Sequence, residues 1–250
     1  MDQRARTLMH KILSPHNWHG LAGLLLNARN PLPILWRFYL KRGRYPYTIG
    51  LRTPLGTLDL ELYSRQDLIT VHEVFFRQDY RVPRDLRLIV DFGSNIGIAS
   101  AYFLTRNAQT RAYAYEPVPV NVARARRNLA KFADRLELAE CAVGTMTGRV
   151  SFGVESSGRY GGIGRTRGDI IEVECRRAED ELQRIAQHHK RIDALKIDVE
   201  GLEVPILTSL SSDVLGAISR ILAECDGRQV RLPAFAYDQY LSIARFFHRG

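Results

Sequence analysis

A chain of 250 residues with 45% hydrophobic content is long enough for one α/β domain with a buried core and an appendage. Its three cysteines, Cys141, Cys175 and Cys225, lie far apart without a C-x-x-C pair, so neither a zinc site nor a disulfide framework is indicated and a reducing, cytoplasmic setting fits. The net charge of +9 is uneven: Met1 to Arg52 holds nine Lys or Arg against one acid, Asp2, whereas the remaining residues hold 27 against 26, a distribution that weighs against a nucleic-acid enzyme with positive charge around its site.

In chain order, residues 1–45 read as a basic, partly helical extension, with apolar stretches Leu21–Leu26 and Ile34–Leu40 broken by Pro31 and Pro33 and flanked by Lys41, Arg42 and Arg44. No run reaches the roughly 18 apolar residues of a membrane span, and Met1–Gly20 lacks the continuous core of a signal peptide. The extension reads either as a helical cap packed on the main domain or as a basic amphipathic segment in peripheral contact with the inner, anionic face of a membrane.

The main domain is expected to occupy 46–250. Tyr47–Tyr63 alternates apolar and polar residues around Thr53-Pro-Leu-Gly56, a hairpin pattern. Periods then alternate: strand Leu86–Phe92, helix Ile96–Arg106, strand Arg111–Tyr115, helix Pro119–Lys131 and strand Leu136–Val143. That order predicts a parallel, doubly wound sheet with a ligand at the carboxyl ends of its strands. A hairpin-like pair follows, Arg149–Val154 and Ile170–Arg176, whose glycine-rich connection Glu155–Asp169 reads as a mobile lid or as a plain flexible link. Helix Ala178–His188, strand Ile192–Asp198, helix Glu203–Leu210 and strand Ser219–Glu224 complete the alternation. Leu232–His248 reads as helix.

The chemistry concentrates at the strand ends. Asp91-Phe-Gly-Ser-Asn-Ile-Gly97 is an acid followed by a glycine-bearing turn, in which Gly93 and Gly97 supply unusual dihedrals and close backbone approach while Ser94 and Asn95 suit a tight turn. Glu116, followed by Pro117, ends the second strand, where an acid binds ribose hydroxyls. A Gly-x-x-x-Gly pattern offers no pyrophosphate cradle, so a ribose-bearing ligand without a pyrophosphate fits, and S-adenosylmethionine is such a ligand. No H-x-x-H or Asp/His cluster indicates a metal.

These blocks, with Tyr115-Glu-Pro-Val-Pro119, Cys141-Ala-Val-Gly144 and Lys196-Ile-Asp-Val-Glu-Gly-Leu-Glu203, occur in order and resemble the motifs of the FkbM family of methyltransferases. The resemblance implies a Rossmann-like class I methyltransferase sheet, S-adenosylmethionine as cofactor, and methyl transfer to a hydroxyl of a sugar, glycolipid or related metabolite. It places adenine-side contacts at Cys141 and Ala142 and assigns the acids of the last motif to the methionine moiety and the acceptor. Because that class usually ends in an antiparallel strand pair, a helical Leu232–His248 leaves two readings: a sheet lacking the pair, or an edge covered by the Tyr47–Tyr63 hairpin.

Asp91 is expected to anchor the turn or reach the cofactor's amino group through water, and Glu116 to accept both ribose hydroxyls. Asp198 and Glu200 share one side of an extended segment and are joint candidates for the base, with Lys196 as a partner of one of them. Glu224 should face the same cleft. Similar sequences carry a histidine two residues beyond it, where this chain has Asp226, a substitute base. Among the histidines, His72 is either close to the cofactor or a satisfied core residue. The rival functions are a nucleic-acid methyltransferase using the basic extension and a non-catalytic, membrane-recruited binding module.

Overall fold

The prolines that interrupt the extension do so by starting a helix. Helix α1 (Pro15–Asn27) ends before Asn30, and α2 (Pro31–Tyr39) opens with prolines in its first turn, where the missing N–H costs nothing. The computed structural model describes residues 15–154, 161–163 and 169–249, and the chain divides into two compact units at Arg81/Val82.

In the first unit, β1 (Tyr47–Thr53) and β2 (Gly56–Leu62) form the expected hairpin, with Thr53 paired to Gly56 across a two-residue turn. Ile49, Leu51, Leu58, Leu60 and Leu62 fill its buried face. Ser64 and Asp67 cap α3 (Arg65–Val71) reciprocally, and a π-helical turn, His72–Arg77, continues it. The leader helix α1 packs inside this unit: a Cβ on Gly23 would overlap the carbonyl of Phe76, and Ala28 bridges to Leu51. The hairpin is a two-stranded sheet of its own, so it does not extend the main sheet.

The second unit is built on β3 (Leu88–Phe92), a strand with every residue buried, as a central parallel strand demands. Helix α4 (Ile98–Leu104), β4 (Arg111–Tyr115), α5 (Pro119–Asn128) and β5 (Leu136–Ala139) follow. The strand expected over Leu136–Val143 is in fact two. Ala139 closes pairing with β4 and accepts from the Glu116 N–H, and after Glu140 and Cys141 the chain changes sheets. There β6 (Ala142–Gly144), β7 (Gly148–Val154), β8 (Gly161–Ile163) and β9 (Asp169–Arg177) make a four-stranded sheet ordered β6-β9-β7-β8. Most of the connection read as a lid, residues 155–160 and 164–168, lies outside the described residues.

Helix α6 (Ala178–His189) carries Glu179, Asp180 and Glu181 in its first turn and His188 and His189 in its last, matching the helix dipole. Then come β10 (Ala194–Ile197), α7 (Glu203–Ser209), α8 (Ser212–Gly216) and β11 (Arg220–Glu224). The helix expected over Leu232–His248 is absent. Phe235–Tyr240 (β12) and Ile243–His248 (β13) are antiparallel strands joined at Leu241-Ser242, with Leu241 at φ 55°. Buried Phe235, Ala244 and Phe246 bind the pair to the core. The class-typical strand pair is therefore present, and the seven-stranded sheet runs β12-β13-β11-β10-β3-β4-β5. Strand order reverses between β3 and β10, so their carboxyl ends flank the switch point where open α/β sheets bind ligands.

Candidate functional site

Lys196 is the hub of this switch point. Its side chain is buried on β10, and its Nζ lies 3.0 Å from Asp91 on the neighbouring strand, 3.4 Å from Asp198 and 3.0 Å from the Gly93 carbonyl, to which it donates. Burial alone would lower the lysine's pKa, but Asp91 and Asp198 outweigh it and raise the pKa above the ordinary value. Asp91 also accepts from the Ser100 hydroxyl of α4 at 2.6 Å. The buried acid thus fixes the core of the turn through a charge pair and a hydrogen bond.

The turn follows from two constraints. Gly93 has φ 81°, and a Cβ there would overlap the Asp198 carbonyl oxygen, so the two loops meet main chain to main chain. Gly97, at φ 86°, precedes α4, where a Cβ would press on Leu129. Asn95 between them is left-handed at φ 50°, a conformation Asn tolerates better than most residues. The Ser94 hydroxyl is buried and has no hydrogen-bond partner within the protein. An orphaned hydroxyl in such a cradle suits a polar ligand atom.

Glu116 reaches over the same turn. Its Oε2 accepts from the Asn95 N–H at 2.9 Å, and its Oε1 accepts from the Val118 N–H at 3.0 Å and from the Asn121 side chain at 3.2 Å. A carboxylate offers about four acceptor positions. Three are occupied, which leaves about one free. Desolvation pushes the Glu116 pKa up to about 7, against those hydrogen bonds and the more distant Lys196, which pull it down. Pro117, buried beside it, fixes the chain as it leaves β4.

The acids after β10 part company. Glu200 is not on an extended segment beside Asp198: it sits in a left-handed turn at φ 58°, followed by Gly201 at φ 108°. Glu203, buried at the start of α7, shapes that turn by accepting from the N–H groups of Val199 at 2.8 Å and Gly201 at 2.9 Å. Glu224 ends β11 and is exposed. Asp226 caps the short 3-10 turn after it, accepts from the Arg228 N–H and pairs with the Arg228 guanidinium at 2.8 Å. Those hydrogen bonds lower its pKa, the wrong direction for a base working near neutrality. Cys141 is buried in the main core, where burial pushes its thiol up to about 12, while Ala142 packs in the smaller cluster with Val118, Phe152, Val173 and Cys175. His72 belongs to the first unit. It stacks on Phe38 at 4.7 Å and is held neutral mainly by burial, with a pKa of about 4.

Sequence reading passed over Ser100 and Asn121. The signal for each was a polar residue on the buried face of a helix, which needs a partner.

The glycine-bearing turn, the acid over it from β4 and the buried Lys–Asp pair beneath it thus meet at the switch point, where open α/β folds bind their ligands. Residues 91–232 match the methyltransferase FkbM domain, and the chain belongs to that family. Membership makes it a methyltransferase and implies S-adenosylmethionine as methyl donor. The chain is 25% identical over 192 residues to methyltransferase sdnD of Sordaria araneosa, covering 63% of this chain and 74% of sdnD. It is also 25% identical over 193 residues to the AMB antimetabolite synthetase AmbE of Pseudomonas aeruginosa, where the match takes 62% of this chain and spans only 9% of AmbE. Among solved structures it is similar to the SAH-bound Podospora anserina methyltransferase PaMTH1, with 13% identity, a TM-score of 0.42, and coverage of 76% and 80% of the two chains.

Proposed function

We propose that this chain is an S-adenosylmethionine-dependent O-methyltransferase acting, in the cytoplasm, on a hydroxyl of a sugar, glycolipid or related metabolite. The observation that carries the reading is the acidic turn Asp198–Glu200 beside the cradle, with Glu200 held at φ 58°, a strained position for a residue with a side chain. Gly93, Ser94, Asn95 and Gly97 would hold the cofactor from the turn, Glu116 its ribose, and Asp198 and the buried Asp91–Lys196 pair would set the field beneath it.

When bound, S-adenosylmethionine supplies a methyl group already activated on a sulfonium, so the protein's part is alignment, water exclusion and removal of one proton. Alignment can contribute roughly 7–11 kcal/mol. We assign proton acceptance to Glu200, which lies in the left-handed turn that follows Asp198. An acceptor hydroxyl aligned on that methyl group would pass its proton to the Glu200 carboxylate as the methyl is transferred.

The test is incubation with methyl-labelled S-adenosylmethionine and fractionated glycans, glycolipids, amines and nucleic acids. The reading expects label in a base-stable ether on the glycan or glycolipid fraction, at least tenfold reduced in Glu200→Gln. Label found on nitrogen, on nucleic acid or in base-labile esters refutes it.

A further inference from the structure

Helices α1 and α2 of the first unit carry large apolar residues on two sides. On α1, Gly20, Gly23, Leu24 and, just past the helix, Ala28 are buried, while Trp18, Leu25 and Leu26 lie on the opposite, exposed side. On α2, Ile34 is buried, whereas Leu32, Trp36 and, just past the helix, Leu40 recur every fourth residue and are exposed. Trp18 and Trp36 are 57% and 55% exposed, and Leu26 and Leu32 are 72% and 77% exposed. A soluble surface helix keeps polar residues on its outer face. These do not.

The charge along this stretch of the chain has one sign. No acid occurs between Asp2 and Asp59. Within that span Arg29 pairs with Asp59, Arg37 lies over Tyr47 and Arg52 donates to the Ala28 carbonyl. Lys41, Arg42 and Arg44 follow Leu40 directly and are exposed. Helices of 13 and 9 residues are too short to cross a bilayer, but a short helix with Trp and Leu on its outer face beside a lysine–arginine cluster is built to lie in a headgroup layer.

We propose that the outer face of α1 and α2 docks on an anionic lipid bilayer, with Trp18, Leu25, Leu26, Leu32, Trp36 and Leu40 entering the interface and Lys41, Arg42 and Arg44 contacting acidic headgroups. A bilayer is favoured over a second copy of the chain because a second copy would bring the same positive cluster against itself. This goes beyond methyl transfer and concerns residues outside the cradle.

The sequence supplies its own reporter, since Trp18 and Trp36 are the only two tryptophans. Full-length protein is titrated with vesicles of phosphatidylcholine alone and of phosphatidylcholine mixed with phosphatidylglycerol, reading tryptophan emission and co-sedimentation. S-adenosylmethionine affinity is measured by calorimetry on the same preparations. The proposal expects a blue shift and sedimentation with the anionic vesicles only, both reversed by salt. Lys41→Ala with Arg42→Ala should weaken binding by about fivefold per residue, and Trp36→Ser should weaken it further, with cofactor affinity unchanged in each. Unchanged emission with anionic vesicles overturns it, as does equal binding to both vesicle types. Blue emission already present in buffer, with a mass that rises with protein concentration, assigns the face to a second copy and also overturns it. Lost vesicle binding with intact cofactor binding leaves the methyltransferase reading standing, whereas lost cofactor binding in wild type strikes that reading alone.

Discussion

Glu116 is expected to make folding and cofactor binding respond to pH in opposite directions. Desolvation raises its pKa from the ordinary 4.5 to about 7 in the folded protein, so below about pH 4.5 it is protonated whether the chain is folded or not. That contribution to stability is complete at low pH and disappears as pH rises through about 7. At 1.36 kcal/mol per pH unit the whole effect is about 3 kcal/mol, of which about 2–3 kcal/mol falls between pH 5 and pH 8. Cofactor binding runs the other way if the ribose hydroxyl donates to the ionised carboxylate, because the proton and the ribose compete. Affinity should then drop about tenfold between pH 8 and pH 6. Glu116→Gln removes the titration from both. The assay pairs urea unfolding with S-adenosylmethionine calorimetry across that pH range, on wild type and variant. Wild-type stability relative to the variant should rise as pH falls while its relative affinity declines. A stability difference independent of pH would falsify the buried-carboxylate reasoning, and a pH-independent affinity ratio would remove the ribose role.

Three further outcomes follow from the switch point. Lys196→Met leaves Asp91 and Asp198 facing each other without their cation, and should lower stability by about 3–5 kcal/mol in thermal or urea unfolding; a loss under 1 kcal/mol would show that the ammonium does not hold the pair. Gly93→Ala places a Cβ on the Asp198 carbonyl at a positive φ, so it should cost more than about 3 kcal/mol and abolish cofactor binding, whereas a folded, binding-competent variant would mean the two loops are free to separate. Glu200→Gly relieves a left-handed residue and should raise stability by up to about 1 kcal/mol while cutting kcat more than tenfold, an opposition that simple loss of packing cannot produce.

The sequence shows most of the parallel core because its signals there are local and strong. Leu88–Phe92 and Arg111–Tyr115 are short apolar runs bounded by turns, and the observed strands keep their carboxyl ends where the motifs put them. The C-terminal pair was hidden for an equally local reason. A two-residue hairpin is normally announced by Asn or Gly at positive φ, but here Leu241 takes that conformation. In the site, Gly93 and Glu116 were legible from type and spacing. The bridging of two acids by Lys196 was not, because it depends on β10 lying beside β3, with Lys196 in register with Asp91. Likewise the turn at Glu200 could not be separated from an extended continuation of β10, since Glu203, which bends it, acts through its side chain.

The placement of β13 reaches beyond geometry. It follows β12 in the chain yet lies inside it, antiparallel to both β11 and β12. Among the described residues strand β12 has no other partner in the sheet, so it is secured only once Ile243–His248 has been inserted. A nick or deletion in those six residues would cost two strands, not one, and bare the backbone of β11 as an edge open to pairing with other chains. Sequence changes there, far from any reacting atom, would thus act first on the amount of recoverable protein and only afterwards on turnover.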